Sequence, residues 1–168
     1  ALDDILNRNQ GKRVIVSAHH PVYTYGEHGG VFRLRDHLFP LTEVQKNLYV
    51  PLPFIGSVLP LYRKMFGGIQ DIAHPLNKSL RRSLEDVMLE YPGTIYASGH
   101  EHAQQYIVKD SIYYIGSGAG AKSTAVKKKG FSLFASSEQG FARLLILNDG
   151  RAVVSISSAN HVEVFQLT

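Results

Sequence analysis

Two short apolar runs each end in a cluster of histidines, and this pairing constrains the chain more than any other feature. Arg13–Ser17 (RVIVS) leads into Ala18-His19-His20-Pro21, and Thr94–Ser98 (TIYAS) leads into Gly99-His100-Glu101-His102. Runs of this length, rich in β-branched residues, read as buried strands. Between them, Asn77–Tyr91 carries Leu80, Leu84, Val87, Met88 and Tyr91 on one helical face and stops at Pro92-Gly93. Strand, crossover with a helix, and strand make the start of a layered α/β core. In such a sheet, ligands bind off the carboxyl ends of the strands, where both clusters stand.

The rest of the chain falls into two textures. Leu2–Asn9 reads as the end of a helix stopped by Gly11. Gln105–Lys109, Ile112–Ile115, Gly140–Leu147, Ala152–Ser157 and Val162–Leu167 read as antiparallel strands, with turn signals at Asp110-Ser111 and Asn148-Asp149-Gly150. Residues 36–75 fit neither texture. This segment is rich in Pro, aromatic and aliphatic residues, carries Lys46, Arg63 and Lys64, and has no clean period. A connection this long is a lid, a binding element or an insertion. We read it first as an excursion packed on its own domain. The sharper alternatives are a cap over a pocket, or an apolar face that meets lipid or another chain.

The histidine spacing has chemical meaning. Residues two apart on an extended backbone point to one side, so His100 and His102 can aim two imidazoles at one site. Gly99 lets the backbone come close. A lone histidine is more often a hydrogen-bonded surface residue, but three at two strand ends read as metal ligands. Imidazole suits Zn, Fe, Mn, Ni and Cu alike, so the metal stays open.

These motifs, in order, resemble those of the calcineurin-like metallophosphoesterases. The likeness is sharpest to the tartrate-resistant type of purple acid phosphatase, in Ala18-His19-His20-Pro21-Val22-Tyr23, Glu27-His28-Gly29, Gly99-His100-Glu101-His102, Gln105-Tyr106, Gly116-Ser117-Gly118-Ala119-Gly120 and Gly140-Phe141-Ala142. It covers most of residues 1–34 and 78–168, with 36–75 as an insertion. The resemblance implies the C-terminal half of a four-layer α/β/β/α sandwich, with a mixed sheet and antiparallel C-terminal strands. His19 and His100 match ligands of the second metal and His102 a ligand of the first. His28 matches a residue that orients substrate or protonates the leaving alcohol, with Glu27 supporting it. His20 falls at a variable position near the pocket. Two metals are implied, iron with zinc, manganese or a second iron, about 3.5–4 Å apart and activating a water for attack on a phosphoester substrate.

The family's earlier motifs, Asp-x-His, Gly-Asp-x-x-Asp and Gly-Asn-His, do not occur in this sequence. We therefore expect the N-terminal half of the domain to be absent, the chain to open at Ala1 inside a longer protein, and this chain alone to hold partial or no metal and be inactive. The alternative is a non-catalytic metal-binding or interaction module on a phosphatase-like fold. Gly116–Ser123 (GSGAGAKS) fails the Walker phosphate-loop pattern and reads as a tight glycine turn near the metals.

Composition sets the remaining bounds. With no cysteine there is no disulfide and no thiolate metal site. A cysteine-free chain suits either side of a membrane, so location stays open, an exported or periplasmic one included. The formal charge is +4, with Lys127, Lys128 and Lys129 read as a solvated loop, and no nucleic-acid partner is expected. The most apolar stretch, Val50–Tyr62, is too short and proline-broken to span a bilayer.

Overall fold

The computed structural model describes residues 1–43, 45 and 47–167. Lys46 of the excursion and Thr168 at the end of the domain span lie outside the described residues. The elements in order are α1 (Leu2–Arg8), β1 (Ile15–Ala18), α2 (Leu34–Leu38), α3 (Val58–Phe66), α4 (Pro75–Leu89), β2 (Ile95–Ser98), β3 (Gln104–Lys109), β4 (Ile112–Ser117), β5 (Ser132–Ser136), β6 (Gly140–Ile146), β7 (Ala152–Ser158) and β8 (Val162–Leu167). Short 3₁₀ turns stand at Glu27–Gly29, Pro40–Glu43 and Ile55–Ser57.

The strands form two sheets, ordered β1-β2-β4-β3-β5 and β6-β7-β8. In the first, β1, β2 and β4 run parallel, while β3 lies antiparallel to β4 and β5. The second is wholly antiparallel. The fold is thus mixed α/β, with a mixed sheet and antiparallel C-terminal strands.

Side-chain alternation builds the layers. Ile95, Tyr106, Tyr113 and Ile115 point to the second sheet and pack with Ala152, Val154, Ile156 and Leu167. Their neighbours Tyr96, Ile107, Ile112 and Tyr114 point the other way and pack with Met88 of α4 and Val22. A period of two thus sends alternate residues of one sheet into two separate cores. The β3–β4 hairpin closes through Asp110 and Ser111, both with positive φ (51° and 60°), the turn whose twist suits paired strands. Pro75 opens α4 at its first turn, where the missing N–H would be unpaired anyway.

Three sequence expectations need correction. β1 is not a buried strand: it lies at the sheet's edge with a neighbour on one side, and Ile15 is 47% exposed. Leu80 is 53% exposed, whereas Met88 on the same helix is fully buried. β5 carried no strand signal that we read. The outer face of the second sheet is bare, with Phe141, Leu145, Val162 and Val164 exposed.

The 36–75 excursion folds into short helices. α2 packs on α3 and on the 3₁₀ turn before it. It meets the body in part through its last loop, where the Ile72 N–H donates to the His28 carbonyl at 3.0 Å. No helix among the described residues is long and apolar enough to cross a membrane.

Candidate functional site

β1 and β2 are parallel neighbours with Ala18 opposite Ser98, so the chain leaves both strands at one level. His19 and His20 follow the first, Gly99 and His100 the second. His100 takes φ +58°, a left-handed conformation that histidine adopts more readily than most residues. Its Nδ1 lies 3.0 Å from His19 Nε2. The His20 ring centroid is 4.1 Å from that of His100, and the His28 ring stacks on His100 at 4.2 Å. A hydrogen bond between two imidazoles needs one N–H and one lone pair, so His19 and His100 are not both charged.

Electrostatics favours the neutral forms. Burial, then the nearby His28, His20 and His19, pulls His100 down to about 4. Burial, then His19 and His28, lowers His20 as well. A neutral ring with a free lone pair is the form that binds a metal.

His102 lines the same cleft, but among the described residues its ring joins none of these contacts. The spacing argument assumed an extended backbone, and the chain turns instead. The Glu101 N–H donates to the Gly99 carbonyl at 2.7 Å and the Ala103 N–H to the Glu101 carbonyl at 2.8 Å. His100 and His102 therefore do not follow strand alternation.

His28 is held by a carboxylate the sequence did not point to. Its Nδ1 lies 3.0 Å from Asp71 Oδ1. Asp71 is 2% exposed. Arg63 donates to it twice, Nε to Oδ2 at 3.0 Å and Nη2 to Oδ1 at 2.8 Å, and the Gly68 N–H donates to Oδ2 at 2.7 Å. Burial pushes the Asp71 carboxyl up, but the hydrogen bonds from His28, Arg63 and Gly68 outweigh it and hold it below the usual carboxylate range. The same fork, with the Asp71 hydrogen bond foremost, raises the Arg63 pKa. Glu27, expected to support His28, instead accepts from Arg63 Nη1 at 3.0 Å. Asp71, Arg63 and Gln70 all come from the excursion, 36–75, whose lack of periodicity hid them.

Glu101 is a brace. It is 1% exposed and accepts from Thr24 Oγ1 and the His28 N–H, both at 3.0 Å, and from Thr124 Oγ1 at 2.9 Å. Two glycines make room for it. A Cβ at Gly26 would stand 2.2 Å from the Glu101 carboxyl carbon, and one at Gly118 would stand 2.1 Å from its carbonyl oxygen.

The resulting cleft measures about 840 Å³ and is lined by His19, His28, His100 and His102, by Arg63 and Gln70 of the excursion, and by Lys122. Its donors fit a metal in part. His19 and His100 offer adjacent imidazoles. Asp71 and Glu27 are tied to Arg63, and Glu101 is engaged in three hydrogen bonds. Among the described residues, no group of three or more His, Asp or Glu side chains is disposed to hold a metal ion. The imidazoles of His19 and His100 meet here, and the described residues offer no complete metal centre.

No protein-family model matches the chain, and no curated protein matches it in sequence. Among solved structures, it is similar to purple acid phosphatase PPD1 from seeds of yellow lupin (Lupinus luteus). The TM-score is 0.55 with 13% identity, over 98% of this chain and 26% of the lupin enzyme. It also overlaps GAP50, the anchor in the inner membrane complex of Plasmodium, with a TM-score of 0.46 and 23% identity over 54% of this chain and 31% of that one. The second overlap is too slight to define a common fold. The first, at so low an identity, shows a likeness of fold to the lupin enzyme and nothing finer. The chain spans about a quarter to a third of the length of these two proteins.

Proposed function

We propose that this chain supplies the histidine side of a metal-dependent phosphoester hydrolase of the acid-phosphatase kind. The observation that carries the reading is the meeting of His19 and His100 across two parallel strand tips, with His28 stacked on His100. His19 and His100 would hold a metal, with His102 beside them at the cleft wall. The bound metal, iron with zinc, manganese or a second iron, would activate a water for attack on phosphorus. The remaining ligands, including a bridging carboxylate, would come from outside the described residues, from the N-terminal half of the same domain.

The chain's own groups divide the other tasks. His28 faces the cleft with its Nδ1 on Asp71, which leaves Nε2 to meet the leaving oxygen. A ring held in one orientation can pass its proton without searching for it. Lys122 puts positive charge on a cleft that would receive a phosphate.

The test is metal content together with hydrolysis of a small aryl phosphate, in the longer protein or in this chain joined by its complementing half. His100→Ala should lose metal and rate together. His28→Ala should keep metal and lose rate, most for substrates with poor leaving groups. Full activity in both variants would overturn the reading. Metal binding without hydrolysis in the unaltered protein would favour a non-catalytic metal module.

A further inference from the structure

The face of the excursion turned away from the cleft is apolar and bare. In α3, the residues Val58, Leu61, Tyr62 and Met65 recur at helical spacing, and all are half-exposed or more. Phe54 and Ile55 extend this ridge at the helix's amino end. The buried side of α3 is instead made by Pro60 and the half-buried Leu59 and Arg63. The polarity is thus the reverse of an ordinary surface helix.

Phe54 is the most telling member. It is 95% exposed and takes φ +70°, ψ −56°, with the Ile55 N–H donating to the Pro53 carbonyl at 2.9 Å. This is the rare, strained form of γ-turn. A bulky aromatic residue in that region is a true outlier. Strain of this kind marks a ligand clamp or a functional surface more often than a passive loop.

The ridge borders a cationic hollow. A pocket of about 260 Å³ is lined by Met65 of the ridge and by Lys64, Lys78 and Arg81, with no carboxylate in its wall. Arg63 also reaches it, but its charge is already met by Asp71 and Glu27. Among the described residues, Lys64, Lys78 and Arg81 form no ion pair, and Arg81 Nε is buried without a hydrogen-bond partner. Burial lowers the Arg81 pKa, and the adjacent Arg82 adds to the fall. The half-buried Arg81 guanidinium lies over the Tyr23 ring at 5.1 Å with no carboxylate partner among the described residues, so an anion entering the hollow would pair it.

We propose that α3 and this hollow form a docking surface for an anionic phospholipid bilayer, the ridge entering the acyl boundary and Lys64, Lys78 and Arg81 taking lipid phosphates. Charge at the rim of the hollow favours anionic lipid over a protein partner. This rim carries one sign only, beside a helix that is apolar outward, which is the pattern of an interfacial helix on anionic lipid.

The experiment is vesicle flotation of the chain with phosphatidylcholine alone and with phosphatidylcholine containing phosphatidylglycerol. Binding is expected to the anionic vesicles only, and to weaken at high salt. Lys64→Gln with Lys78→Gln should weaken it by about 25-fold, the effect of two charges near the surface. Met65→Asp should abolish it, while Val164→Asp on the bare second sheet should not. The chain has no tryptophan, so Phe54→Trp supplies a single reporter whose emission should shift to the blue on anionic vesicles alone. These substitutions fall at exposed positions, and circular dichroism should show each variant folded. No binding to anionic vesicles would overturn the proposal, as would equal binding to both kinds or loss with Val164→Asp but not Met65→Asp. It would also fall if the chain were a dimer that Met65→Asp made monomeric. None of these readouts depends on metal or on hydrolysis.

Discussion

Glu101 stands between His100 and His102 in the sequence, yet its carboxylate turns inward to Thr24, Thr124 and the His28 N–H. Glu101→Ala would leave three buried donors without acceptors. We expect a loss of about 3 kcal/mol, measured as a fall in denaturant midpoint. An unchanged midpoint would remove its role as a brace. Asp71 presents the complementary case, because its partner is the ring that faces the cleft. Under the proposed function, Asp71→Asn in the longer protein should cut kcat for poor leaving groups well below that for good ones, with KM little changed. Asp71→Glu should restore part of the difference. A uniform loss across leaving groups would make Asp71 merely structural. Both residues show the limit of reading by motif. Glu101 is local and conspicuous but structural, while Asp71 reaches His28 from 43 positions away with no motif around it.

At the scale of elements, period and turn chemistry were good guides where both faces of a strand are covered or both are patterned. β8 runs from Val162 to Leu167 as its alternation predicts, and the Asp110-Ser111 turn closes its hairpin as expected. Burial failed as an inference for β1, because an apolar run does not say whether a strand has one neighbour or two. β5 escaped because Ser132–Ser136 is short and follows the lysine run at 127–129. α3 escaped because Leu59 and Pro60 make its other side apolar too, which blurs the helical period of Val58, Leu61, Tyr62 and Met65. The exposed edge of β1 makes its own prediction. Its unpaired N–H and C=O groups invite another strand, so Ile15→Lys should lower self-association in light scattering without lowering the melting temperature. Stronger association in the variant would contradict this.

For the whole molecule, the histidine cluster ties stability to pH. The folded-state pKa of His100 is about 4 against an ordinary 6.5. The unfolded chain therefore binds the proton more readily, and stability is whole above about 6.5 and lost as pH falls toward 4. His20, lowered in the same direction, adds to this loss. Asp71, held below the usual carboxylate range, adds its loss only at lower pH. Melting temperature measured from pH 8 to 4 should fall through this window, and His100→Gln should flatten the fall. A steepest decline above pH 7 would rule out this origin.

The parallel pairing of β1 with β2 sets the level at which His19 meets His100. That rung belongs to a four-residue strand that, among the described residues, has no neighbour on its other side. β1 adds only the half-buried Val16 to one of the two inner cores, so the imidazole cluster should come apart at a lower free energy than the domain itself. Amide hydrogens of Val16 and Ser17 would then exchange ahead of those in β4, and any ligand bridging His19 and His100 would slow them first.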